Sequence, residues 1–117
     1  MFNEKVPTAE KFQEAFMSLE SKMTETRHSL LREHYQFPDH TATMTQIATK
    51  MGWNKYVSGN THYGKLARLV SEQIGFHPDG CFLGTLCTFI EPKEKGEQWL
   101  IIMRPQVVKA LENLGWI

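Results

Sequence analysis

The stretch from Thr43 to Gly75 carries the densest local folding signals in the chain and constrains the fold more than any other feature. Thr43-Met44-Thr45-Gln46 fits a capping box, in which the threonine hydroxyl and the glutamine amide satisfy free backbone N–H groups reciprocally. The short helix that follows turns Ile47, Ala48 and Met51 inward and stops at Gly52, a residue type suited to the left-handed position past a helix end. Trp53-Asn54-Lys55-Tyr56-Val57 makes a tight connection, and a second helix begins at Ser58 or Asn60. In it Tyr63, Leu66, Ala67, Val70 and Ile74 form one apolar stripe, and Gly75 ends it. Gly64 lies inside this helix at a cost of ~1 kcal/mol relative to alanine. Close approach of the preceding helix is the expected reason.

The flanks supply the rest of one domain spanning residues 1–117. Pro7-Thr8 opens a first helix with Thr8 as N-cap, and Phe12, Ala15, Phe16, Leu19 and Met23 recur at helical spacing. A second helical stretch runs from about Thr24 to Gln36, with Leu30, Leu31, His34 and Tyr35 on its apolar side, and Phe37-Pro38 ends it. The residues between Ser21 and Thr24 leave open whether these two helices are separate or continuous. After Gly80 the periodicity changes. Cys81 to Ile90 reads as an apolar strand, residues 91–97 as a polar tip, and Gln98 to Met103 as its antiparallel partner. Pro105 suits a first helical position, and Val107, Val108, Leu111 and Leu114 outline a closing helix. The expected class is mainly α with a small antiparallel β-hairpin (α+β), in the order helix, helix, helix-turn-helix, hairpin, helix.

A helix-turn-helix followed directly by a two-stranded hairpin resembles the winged-helix superfamily, in which the hairpin is the wing. The resemblance covers roughly Thr24 to Met103 and is architectural. The stretch TATMTQIATKMGWNKYVSGNTHYGKLARLVSEQIG is also similar to a bacterial module associated with DNA restriction systems, to which no activity attaches. The winged-helix resemblance implies DNA binding, and the expected setting is a bacterial or phage cytoplasm.

Charge has to be read by segment, because thirteen basic and thirteen acidic residues give a formal net charge of zero. That balance excludes retention on nucleic acid by bulk charge. Residues 41–75, however, carry Lys50, Lys55, Lys65 and Arg68 against Glu72 alone, a local +3. With the apolar stripe facing in, Ser58, Asn60, Thr61, His62, Lys65 and Arg68 are left on or near the outer side of the second helix. Asparagine can bond an adenine edge and arginine a guanine edge, while lysine, threonine and histidine suit phosphates. Lys50 and Lys55 would hold backbone phosphates, and the partner expected is double-stranded DNA. The competing reading is a protein-interaction module on the same scaffold, since polar residues on an outer helix face are also ordinary solvated surface. Glu91, Glu94 and Glu97 at the hairpin tip offset Lys93 and Lys95 and weaken a role for that tip in a groove.

Other chemistries find little to stand on. His28, His34, His40, His62 and His77 show no metal-ligand spacing, and no CxxC occurs. His34 is expected as a half-buried packing histidine. No nucleophile elbow, P-loop or dinucleotide fingerprint occurs, so the chain is read as non-catalytic, with no cofactor, metal or small-molecule substrate. Cys81 and Cys87 on one face of a strand would lie ~20 Å apart, beyond disulfide reach, and are expected as two reduced core thiols. No apolar run is long enough for a membrane span, and the first residues lack the basic-then-apolar order of a signal peptide; the expected location is cytoplasmic. Trp53, Tyr56 and Tyr63 around the turn, with Trp99 and Trp116, are expected to pack in the core. The expected strands are apolar on both alternating faces, so the surplus face meets either flanking helices or a second copy of the chain, making a homodimer.

Overall fold

The computed structural model describes residues 5–78 and 80–117. The described chain is mainly helical with a small antiparallel sheet. Helix α1 (Ala9–Ser18) starts at Thr8, whose hydroxyl accepts from the Lys11 N–H, and α2 (Glu25–Gln36) starts the same way, with Thr24 accepting from Arg27. A single 3₁₀ turn, Glu20–Lys22, separates them, so the two helical stretches are distinct. Helix α3 (Met44–Lys50) shows both hydrogen bonds of the capping box. Helix α4 (Tyr56–Ile74) is the longest element, and α5 (Pro105–Leu114) begins on its proline.

The sheet departs from the expected hairpin in three ways. A two-residue strand, β1 (Thr41–Ala42), precedes α3 and pairs with β3 (Leu100–Met103), which also pairs with β2 (Cys87–Ile90) in the order β1-β3-β2. Cys81–Ile90 is not one strand. Phe82–Thr85 forms a 3₁₀ turn packed against α4, and only Cys87–Ile90 is extended. The connection between β2 and β3 accordingly runs through residues 91–99. A short unbroken apolar run has no periodicity to tell a strand from a packed turn.

The core lies between α1, α4, α5 and the sheet. Tyr63, Leu66, Ala67 and Val70 bring the inner face of α4 to full burial, and Ile74 is half-buried at its end. The expected stripe is therefore the core face. Helix α4 starts earlier than Ser58, with Lys55 as an N-cap whose side chain makes no capping bond. Nothing in the local turn chemistry marks that boundary. The close approach of α3 to α4 is made at Gly59, where an added Cβ would lie 2.6 Å from Met44 Sδ. Gly64, expected in that role, would place a Cβ in open space. Cys87 is buried and Cys81 exposed, both free, so the expectation of two core thiols holds for Cys87 alone. Among the described residues no helix is long and apolar enough to cross a membrane.

Candidate nucleic-acid interface

The two faces of α4 differ in burial and in the partners of their polar groups. On the inner face His34 and Tyr63 are wholly buried and joined across 2.7 Å between Nδ1 and the phenol oxygen. His34 Nε2 lies 3.0 Å from the Ile101 carbonyl, which can only accept, so the proton sits on Nε2 and Nδ1 accepts from the Tyr63 hydroxyl. The Cys87 thiol in turn donates to the Tyr63 oxygen at 3.7 Å. One chain of bonds thus ties β2, α4, α2 and β3 together. Burial lowers the His34 pKa to about 4 and pushes the Cys87 thiol up to about 12, so both are neutral. The expected half-buried packing histidine is this fully buried one.

The outer face borders a groove of about 790 Å³. Asn60, Thr61, Gly64, Lys65 and Arg68 form its helical side. The opposite wall is made by His77, Pro78, Gly80, Cys81, Phe82 and Leu83. That wall is held firmly. The Arg104 guanidinium donates twice to the Gly84 carbonyl, at 3.0 and 2.8 Å, and lies over the Phe76 ring. The Ser71 and Thr85 hydroxyls both donate to the Phe76 carbonyl, at 2.9 and 3.3 Å. With Ser71 thus committed, the His77 Nδ1 donates to the Ser71 oxygen at 2.6 Å. These bonds anchor the segments on either side of the wall, at residues 76–77 and 84–85.

Of the residues expected to form the site, Asn60, Thr61, Lys65 and Arg68 come together along this groove. Arg68 is not a free cation. It pairs with Glu72 one turn on at 3.7 Å, both side chains about 60% exposed (62% and 59%), and its guanidinium lies 5.4 Å from the Phe82 ring centroid. Such an exposed pair contributes only a few tenths of a kcal/mol and leaves the arginine available to another anion. His62 is exposed but stacked on Trp53 at 4.5 Å, which takes it away from the groove lining. Ser58 is half-buried in the first turn of α4, while Lys50 and Lys55 are exposed outside the groove, at the end of α3 and the start of α4.

Sequence reasoning missed the second wall. Phe82 is 44% exposed, and a separate aromatic pair, Tyr56 (49%) and Trp99 (51%), stands open where core packing was expected. Tyr56, Phe89 and Trp99 line a smaller groove of about 390 Å³, which shares Asn60, Cys81 and Leu83 with the larger one. Trp116 does pack inward, against Phe16 and His28. Among the described residues no cluster of three or more His, Cys, Asp or Glu side chains is placed to hold a metal ion. No protein-family model, curated protein or solved structure matches this chain.

Proposed function

We propose that this chain is a non-catalytic DNA-binding module that uses the outer face of α4. The observation that carries the reading is the convergence of Asn60, Thr61, Lys65 and Arg68 on one open groove along α4, read as the second helix of a helix-turn-helix. These side chains combine hydrogen-bonding groups suited to base edges with cations suited to phosphates. Support for a winged-helix-like frame comes from the element order. Helix α2, strand β1, helices α3 and α4 and the β2–β3 hairpin follow one another, and the pairing of β1 with β3 locks the hairpin to the helix-turn-helix. The Thr45 N–H adds a bond to the Gln98 side chain at 3.1 Å. Lys50 and Lys55 extend the cationic surface toward flanking phosphates, with double-stranded DNA as the first form to test.

Fluorescence anisotropy with a labelled duplex tests this at ~50 and ~200 mM salt, where each phosphate that the protein neutralises should add ~0.9 to the steepness of the salt dependence. Steep weakening with salt is the expected result. Absence of binding at the lower salt contradicts duplex recognition by this face.

A second reading rests on the open apolar side chains Tyr56, Val57, Ile90, Trp99 and Leu100. Exposed apolar surface of this kind marks protein contacts as readily as nucleic-acid contacts. In that case the chain is a protein-interaction module or a homodimer. Light scattering across a dilution series tests the homodimer, whose mass falls on dilution, while the duplex titration separates the interaction module from the DNA binder.

A further inference from the structure

The two adjoining grooves add open aromatic rings to the polar side of α4. The larger offers the partly exposed Phe82 ring, over which the Arg68 guanidinium lies, with Lys65 lining the same groove. The smaller offers Tyr56 and Trp99, and the two share Asn60, Cys81 and Leu83 as a common border. Open aromatic rings beside a few cations are the chemistry that holds unpaired nucleotides, whose bases present their flat faces once they leave the stack.

Gly64 supplies an independent observation. It lies in the interior of a 19-residue helix, where glycine is unfavourable, yet a Cβ there would meet no protein atom within 4 Å. No packing contact calls for its bareness. It lines the larger groove, where a missing side chain lets an occupant approach the helix backbone. At about 790 Å³ that groove falls in the size range of small-ligand sites, large enough for a base and its sugar-phosphate.

We propose that the paired grooves bind an unpaired segment of DNA in preference to continuous duplex, with Phe82 and the Tyr56–Trp99 pair as stacking platforms and Lys65 and Arg68 as phosphate contacts. This rests on the DNA-binding reading for the nature of the ligand and goes beyond it in the form of the strand. The same nucleotide chemistry could come from a free mononucleotide, which the test includes as its own arm.

The experiment measures anisotropy of a labelled single-stranded oligonucleotide and of the same sequence as a duplex, with a free deoxynucleoside monophosphate as competitor. Wild-type protein is compared with Phe82→Ala, Trp99→Ala and Gly64→Leu, each checked to melt cooperatively and to remain folded under the assay conditions. The expected result is at least about tenfold tighter binding of the single strand. Each alanine variant should weaken that binding about fivefold or more while duplex affinity changes less. Gly64→Leu should remove the preference by filling the groove floor. The monophosphate should compete only weakly. Equal or tighter duplex binding, or a preference untouched by all three variants, overturns the inference and leaves the DNA-binding reading standing. Displacement of the strand by the monophosphate at comparable concentration overturns it in favour of a free-nucleotide site. Absence of binding to both DNA forms removes both proposals.

Discussion

The inner and outer faces of α4 differ in how their polar groups are used. Inside, Tyr63, His34 and Cys87 hand hydrogen bonds from one to the next, and among the described residues no buried side-chain polar atom lacks a partner. Outside, Asn60, Thr61 and Lys65 face a groove. A buried polar network of this kind fixes one arrangement of helices and sheet, because any member left alone would carry a desolvation penalty. An open set of the same side-chain types costs little and remains available to a ligand. The contrast predicts that inner-face changes register in stability and outer-face changes in binding.

The sharpest break of that division is Tyr63→Ala. It removes a large, fully buried ring and should cost about 3–5 kcal/mol in chemical denaturation. Acid acts on the same seam. His34 titrates at about 4 when folded against an ordinary value of 6.5, so the unfolded chain binds the proton first as pH falls. Its contribution is fully present above pH 6.5 and should be lost between there and pH 4. The difference is of order 3 kcal/mol, read as a falling denaturation midpoint that flattens in a His34→Gln variant. Tyr63→Phe keeps the ring but strips the donor from His34 Nδ1, and should cost about 1–3 kcal/mol. If these changes left stability untouched, the seam would not be what specifies the packing.

Much of this inner face is legible in the amino-acid sequence alone. The apolar stripe of α4, the Thr8 cap, the capping box at Thr43 and the stops at Gly52 and Gly75 all follow from local chemistry acting over three or four residues. What escapes is set at longer range. A two-residue strand such as Thr41–Ala42 has no period to detect, and its identity comes from pairing with Ile101 and Ile102 far along the chain. The turn Phe82–Thr85 carries the apolar composition of a strand, and its shape depends on the clamp from Arg104. For the site, sequence nominates the polar side of α4 but not the wall opposite. Phe82 there reads as part of a strand, and Tyr56 and Trp99 read as core, because nothing local distinguishes an aromatic ring that packs from one that stands open. Which glycine meets the neighbouring helix likewise depends on where α3 crosses α4, and spacing does not reveal that.

Outer-face variants sharpen the comparison from the other side. Gly64→Ala should raise stability by up to about 1 kcal/mol, because the helix gains a better former and the new methyl meets no protein atom. Lys65→Ala with Arg68→Ala should leave stability within about 0.5 kcal/mol of the parent, the Arg68–Glu72 pair being exposed, while DNA binding is abolished. A large loss of stability in that double variant would make the two side chains structural.

The most direct measurement is a residue-resolved binding footprint, obtained from amide chemical-shift changes as single-stranded and then duplex DNA is titrated into the labelled protein. The account predicts shifts concentrated at Asn60–Arg68 and across the facing wall at Cys81–Leu83, with α1 and α5 unmoved. Shifts spread over the surface, or gathered on α1 and α5 with the groove silent, would contradict it.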